Sequence, residues 1–298
     1  MIIIRLNGGL GNIMFQYATG KHLSIKNNTN LKFDIESYKT NPLGDYGFAL
    51  EKFNIKIKDN IASNKEINYF KKYKRKNGKK WYIYNKLFAD SEKYIQEKHF
   101  HFDPSVLKTT NNSYLDGWWQ TEKYFIEIRE ILLKDFKVSD LIDEQNITTS
   151  KKIRDTESVS IHIRRCDYII NPKTKSWHGS LSQRYYENAI KIIQKNTKNP
   201  SFFIFSDDIP WVKENMYLNA EATYVSWNKK EPHNDIHLMS LCKHNIIANS
   251  TLGWWGAWLN NNKNKIVIAP QKWFANAPKN NTKDLIPEKW TTIPSNFE

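Results

Sequence analysis

Residues 159–167 read VSIHIRRCD. A short run rich in β-branched residues, Val159 to Ile163, stops abruptly at two adjacent arginines and an acid. Runs of this length and character suit a strand buried on both faces, as in a parallel sheet covered by helices. Such sheets present their ligands to the carboxyl ends of the strands. Arg164, Arg165 and Asp167 stand at such an end. The same letters also spell a surface salt-bridge cluster.

The segments that follow decide between these readings by their order. SQRYYENAIKIIQ (182–194) reads as a helix with Ser182 as its cap, and FFIF (202–205) as a strand. Asp208 and Pro210 then open another helix, an acid at the cap with proline in the first turn. ATYVSW (222–227) is strand-like, NDIHLMSLCKH (234–244) helical, NIIA (245–248) strand-like, STLGWWGAWL (250–259) helical and KIVIAP (265–270) a last strand. Alternation of this kind implies right-handed crossovers and a parallel, Rossmann-like sheet. His162 with the two arginines, Ser206-Asp207-Asp208 and Asn249-Ser250-Thr251 then end three different strands and share one rim.

Guanidinium forks suit a diphosphate, and hydroxyls and amides at a helix start favour phosphate as well. Asp207 or Asp208 can accept from a base or ribose. From the residues alone, the rim reads as a nucleotide-diphosphate site. Plainer roles exist for single members: a helix cap for Asp208, a core imidazole for His162, and packing for Trp254, Trp255 and Trp258.

Working toward the amino end, the order is less regular. IIIRL (2–6) is a strand, NGGLGN (7–12) a glycine turn, and MFQYATGKHLS (14–24) a helix; LKFDI (31–35) is a second strand. SYLDGWW (113–119) reads as a strand and TEKYFIEIREILLKDF (121–136) as a helix with a stripe of Phe125, Ile128, Leu132 and Phe136. Residues 36–112 show no clear period. The polar stretch 138–158 reads as a linker, which puts a domain boundary near residue 150 and gives two domains, 1–150 and 151–298.

Composition sets outer limits. The 298 residues carry a net charge of +14, which attracts anions of any kind: nucleic acid, anionic membrane or a phosphorylated substrate. The aromatic residues follow core periodicity, which argues against a nucleic-acid platform. The segment Lys71–Lys80 is either a solvated loop or a membrane-surface contact. Cys166 and Cys242 are too few for a disulfide framework or a thiolate zinc site, and a reducing compartment follows. The opening MIIIRLNGGLGN has no signal-peptide pattern, and no window approaches eighteen apolar residues, so a cytoplasmic protein is expected. NGGLGN is neither a P-loop nor GxGxxG, and no G-x-S-x-G elbow occurs. The acids after FFIFS are adjacent, unlike the acid pair separated by one residue in metal-dependent sugar transferases, which leaves arginine as an alternative to metal for the phosphate counter-charge.

Four stretches in this order, IIRLNGGLGNIMFQYATGKHL, HIRRCDYI, FFIFSDD and LMSLCKHNIIANSTLGWWGAWL, resemble the inverting α-1,2-fucosyltransferases, notably bacterial members that build O-antigen and other surface glycans. The resemblance covers both halves of the chain. It implies an α/β fold of GT-B type, two Rossmann-like domains with parallel sheets facing a cleft. Residues 1–150 would form the acceptor side and 151–298 the GDP-fucose-binding side. It further implies fucose transfer to the 2-hydroxyl of a terminal β-galactose, without cofactor or divalent metal. The acceptor could be a lipid-linked oligosaccharide, reached through peripheral contact with the anionic inner membrane, and no nucleic-acid partner is implied.

Carried over residue by residue, the pattern makes Arg164, Arg165 and Asp167 catalytic, with His162 beside them. It makes Ser206, Asp207, Asp208, Asn249, Ser250, Thr251 and Trp254 substrate-binding. The glycine turn, Gly8, Gly9, Gly11 and Asn12, with Gln16, would face the reacting sugar, Asn12 among the catalytic groups. A base for the acceptor hydroxyl is needed, and Asp34, Asp116 and Glu122 are candidates. Three departures from the family pattern stand out: Cys166 in place of glycine, Ile13 in place of a polar residue near the acceptor, and Thr251-Leu252-Gly253 in place of a Ser-Phe-Ser-like run.

Overall fold

The computed structural model describes residues 1–40, 49–90, 92–138 and 143–298. Its chain divides into two compact units, Met1–Phe136 with Lys283–Leu285, and Lys137–Thr282 with Ile286–Glu298.

The first unit runs β1 (Ile2–Arg5), α1 (Leu10–Lys26), β2 (Leu31–Asp34), α2 (Glu36–Thr40), α3 (Asn64–Lys71), α4 (Tyr82–Phe88), β3 (Tyr94–Gln96), β4 (Ser113–Asp116) and α5 (Arg129–Asp135). Among the described residues its sheet has four strands in the order β2-β1-β4-β3, every pair parallel. The three isoleucines of β1 are fully buried, as a central strand between two helical layers demands. α1 lies close on the sheet at Gly20, where a Cβ would fall 2.9 Å from Leu31 and 3.0 Å from Ile4. α3 begins with a capping box between Ser63 and Glu66 and packs Ile67 and Phe70 on Ile3, Tyr94 and Tyr114. Asp284, from far along the sequence, completes this unit: it accepts from the Phe102 amide at 3.0 Å and pairs with Lys123 at 2.7 Å.

Two expectations are corrected here. The helix read over 121–136 is broken into two 3₁₀ turns, Glu122–Tyr124 and Ile126–Ile128, followed by α5. Thr121 caps the first turn through the Lys123 amide, and Phe125, at φ −148° and ψ 6°, interrupts the spiral. The stripe Phe125, Ile128, Leu132 and Phe136 is nevertheless buried. The strand read over 113–119 stops at Asp116, because the next amides turn to a carboxylate described below.

The second unit runs α6 (Glu144–Asp155), β5 (Glu157–Ile163), α7 (Cys166–Ile170), α8 (Pro172–His178), α9 (Gln183–Asn196), β6 (Pro200–Ser206), α10 (Ile209–Asn215), β7 (Ala222–Val225), α11 (Pro232–Leu241), β8 (His244–Ile246), α12 (Thr251–Leu259), β9 (Val267–Pro270) and β10 (Thr291–Ile293). Its strands lie in the order β10-β9-β8-β5-β6-β7, again with every pair parallel.

The stretch read as a linker is largely α6, capped by Asp143, and residue 150 lies inside it; the division of the chain falls after Phe136 instead. The buried face of α6 is Asn146, Thr149, Ser150 and Ile153, so apolar periodicity could not reveal it. Asn146 is held by Asn228 and by the indole N–H of Trp227. Ser182 does precede α9, but its hydroxyl is buried without a partner and caps nothing.

In each sheet the chain builds outward on one side and then crosses to the other. The reversal falls between β1 and β4 in the first unit and between β5 and β8 in the second. Such switch points are where open parallel sheets bind ligands.

Candidate active site

At the β5 switch point the paired arginines part company. Arg164 keeps about a third of its side chain exposed, with Nη2 2.7 Å from Asp167 and Nη1 3.2 Å from Asp207. Arg165 is buried. Its guanidinium lies 3.5 Å from the centre of the Trp211 ring, its Nε donates to Asp208 at 3.4 Å and its Nη1 to both carboxylate oxygens of Glu298 at 3.1 and 2.9 Å. Asp207, at the end of β6, accepts from the Arg165 amide at 2.8 Å, so β5 and β6 are tied together at their carboxyl ends. Burial raises the Asp207 pKa, opposed by Arg164 and by the amides of Arg165 and Cys166. Asp208 caps α10 through the Trp211 amide, and the Ser206 hydroxyl accepts from the Asp208 amide.

Across the switch point, Ser250 precedes α12 without capping it through its side chain. The Ser250 side chain therefore leaves the first-turn amides of α12 uncapped at the sheet's carboxyl edge, the arrangement that favours an anion. Asn249 is fully buried and donates from Nδ2 to the carbonyls of His178, Gly179 and Trp273, each at 3.1 Å. It clamps loops together and presents nothing outward. His162 is buried beneath α12, and burial followed by Arg164 lowers its pKa to about 3, so the imidazole is neutral. Trp254 is fully buried among Trp255, Trp258 and Trp290, so the substrate contact expected of it has no exposed face to work with.

Gly253 explains one departure from the family pattern. A Cβ there would lie 2.7 Å from Nδ1 of His162 and 2.9 Å from Cγ of the ring. We expect Gly253→Ala to cost about 1–3 kcal/mol by overpacking against an imidazole that has no room to yield. Urea unfolding midpoints unchanged from wild type would refute this.

In the first unit the glycine turn follows β1. Gly8 has φ +89°, its carbonyl accepts from the Tyr38 hydroxyl, and a Cβ would fall 2.7 Å from Asn12 and 2.9 Å from Trp118. Gly9 is exposed before α1, whereas Gly11 is buried in its first turn. Oδ1 of Asn12 accepts from Gln120 at 2.9 Å. Gln16 is buried; it accepts from the Asn7 amide at 2.9 Å and donates to the Gly117 carbonyl at 3.1 Å, splicing the loops after β1 and β4. Ile13 is also buried, so this departure places an apolar side chain in the core.

Among the base candidates, Asp34 is buried and accepts from the Tyr114 hydroxyl and the Glu36 amide. It lines a cavity of about 600 Å³ with Arg5, Glu36, Lys71, Lys74 and Tyr94. Burial raises the Asp116 pKa, but donors from Tyr94, Lys74 and Arg5 outweigh it, and the net shift is downward, which makes Asp116 a weak base. Glu122 begins a 3₁₀ turn.

Sequence reasoning missed a fourth carboxylate. Glu97 accepts from the amides of Trp118 at 2.7 Å and Trp119 at 2.9 Å, and burial pushes its pKa up to about 7 against those two donors. Trp119 is buried with φ +57°, a conformation costly for a bulky residue, and Gly117 has Glu97 Cβ only 2.5 Å from where its own would be. This strained loop presents Trp118, 38% exposed, beside Gly8. Nothing in the alternation of residues marks Glu97, because its role comes from a turn geometry that leaves no period.

Residues 1–294 match the family model described as glycosyl transferase family 11. The chain belongs to that family. This family 11 glycosyltransferase is 38% identical to the α-1,2-colitosyltransferase of Escherichia coli, over 98% of this chain and 99% of the relative. It is 34% identical to the O-antigen biosynthesis glycosyltransferase WbnK of Escherichia coli, over 97% and 99%. It is 26% identical to galactoside α-(1,2)-fucosyltransferase 1 of Rattus norvegicus, over 56% of this chain and 45% of the rat protein. Among solved structures, FUT1 of Arabidopsis thaliana in complex with GDP superposes with a TM-score of 0.54 at 11% identity, over 96% of this chain and 74% of that one. That likeness and the two parallel sheets place the fold in the GT-B class.

Proposed function

We propose that the protein is an inverting galactoside α-1,2-fucosyltransferase, moving L-fucose from GDP-fucose to the 2-hydroxyl of a terminal β-galactose in O-antigen or related surface-glycan synthesis. The observation that carries this reading is Arg164, partly exposed at the β5/β8 switch point where α12 starts without a side-chain cap. In this mechanism the acceptor 2-hydroxyl passes its proton to a base as O2 attacks the anomeric carbon, the bond from that carbon to the β-phosphate oxygen breaks, and its electron pair leaves with GDP. The Arg164 fork and the α12 amides stabilise the charge that grows on the phosphate, more in the transition state than before it. Ser206 and Asp208 are assigned to the guanosine, with Arg165 bonded to Asp208. These cations and dipoles would supply the counter-charge that other transferases take from a divalent metal. On the acceptor side, the Trp118 face suits the apolar C–H face of a galactose ring, and Asn12 can orient a hydroxyl.

A second reading rests on the 38% identity to a colitosyltransferase. Colitose is L-fucose without its 3-hydroxyl, so the diphosphate rim serves both donors equally. The experiment is incubation with GDP-fucose or GDP-colitose, in chelator, with a panel of β-galactosides, followed by mass spectrometry and NMR assignment of the linkage. We expect a product fucosylated at the galactose 2-hydroxyl. Turnover of GDP-colitose alone would replace the donor, and activity lost in chelator would restore a metal to the mechanism.

A further inference from the structure

Residues 71–88, KKYKRKNGKKWYIYNKLF, hold eight basic residues and no acid. The structure divides these cations. Lys71 and Lys74 turn inward to Glu36 and Asp116, leaving Lys72, Arg75, Lys76, Lys79, Lys80 and Lys86 for the surface. Lys72 lies 4.2 Å from the centre of the Tyr69 ring, and Lys76 lies 4.0 and 4.1 Å from those of Trp81 and Tyr84, so charge and aromatic surface are interleaved. α4, the helix that follows, is apolar and open. Tyr82, Ile83, Leu87 and Phe88 are 69, 70, 67 and 51% exposed, and no residue of α4 is buried. One exposed leucine is ordinary; four large apolar side chains on two helical turns mark a surface kept for a partner.

We propose that α4 and its flanking lysines form a contact surface for an anionic lipid bilayer, with Ile83 and Leu87 entering the boundary between headgroups and acyl chains. Apolar side chains leave water there, lysine stems extend back to the phosphates, and Trp81, Tyr82 and Tyr84 have the amphipathic character of interfacial aromatics. Basic residues clustered beside an apolar helix are drawn to such a surface, and no acid in the segment opposes them. α4 has seven residues, about 10 Å of helix, enough to lie in the interface and too short to span it. Among the described residues no helix is long and apolar enough to cross a membrane. A second copy of the chain would set cations against cations, and a nucleic-acid duplex would leave Ile83 and Leu87 in water. The inference goes beyond the donor and acceptor reading above and is measured without either substrate.

The test is sedimentation of the full chain with vesicles of equal parts phosphatidylglycerol and phosphatidylcholine, or of phosphatidylcholine alone. The protein is expected to sediment with the anionic vesicles only. The variant Ile83→Ser/Leu87→Ser, which keeps every charge, should weaken that binding about tenfold or more. Each of Lys79→Ala and Lys80→Ala should weaken it about fivefold at low salt. All three variants should keep the wild-type melting temperature and transfer rate to a water-soluble galactoside. Failure to sediment with anionic vesicles, or binding that the double serine variant leaves unchanged, overturns the proposal. So does a dimer in solution that the serine variant dissolves while vesicle binding persists.

Discussion

Replacing Arg164 by alanine is expected to lower kcat about 10²–10³-fold, the loss measured when one preorganised donor to a developing oxyanion is removed. Folding should survive, because the side chain is partly exposed, Asp167 lies near solvent, and the more buried Asp207 keeps the Arg165 amide as a donor. Exposed ion pairs contribute little to stability, so the melting temperature should move by only a few degrees. Lysine at 164 should rescue poorly, since a single ammonium cannot span two phosphate oxygens as the planar fork does. Steady-state kinetics with GDP-fucose, beside thermal unfolding of the same preparations, separates the two effects. A kcat near wild type in Arg164→Ala would remove this residue from the mechanism.

The adjacent substitution should behave differently. Arg165→Ala takes away a buried cation lying on Trp211 and bonded to Asp208 and Glu298. Breaking a buried pair by removing one partner typically costs about 3–5 kcal/mol. Asp208 and Glu298 each keep roughly a third of their side chains in water and can rehydrate, which places this case near the lower end. For a unit of this size about 3 kcal/mol corresponds to a fall of roughly 6–12 °C in melting temperature. Circular dichroism through the thermal transition would measure it. A variant with unchanged melting temperature and lost activity would mean that Arg165 swings out to meet the donor, and that the contacts with Asp208 and Glu298 are a resting arrangement.

This asymmetry shows where the sequence stops being legible. The strand ending in HIRR was readable because a parallel strand buried on both faces must stop where charge begins. The α12 start was readable for the same reason. The difference between Arg164 and Arg165 was not, because it depends on Trp211 and Glu298, which no local pattern joins to position 165. Asn249 and Trp254 belong to a motif that looks functional from its residue types, yet three backbone carbonyls engage the first and a tryptophan cluster encloses the second. α6 escaped notice because the face it buries is mostly polar, and the exposure of α4 because an open apolar helix has the same letters as a buried one. Lys71 and Lys74 read as part of a solvated run, and only folding turns them onto carboxylates.

The bonds made by Asp284 have a consequence in time. Every strand of the first unit, and the helices packed on them, have been synthesised once residue 136 is made. The carboxylate that fastens the Phe102 amide and Lys123 arrives only after the second unit has been made as far as Thr282. Domains made first generally fold first, so this unit must wait in a nearly finished form while the second is translated. Its last brace closes only once Asp284 has been made, and until then the segment from Phe102 to Lys123 lacks the carboxylate that ties it down.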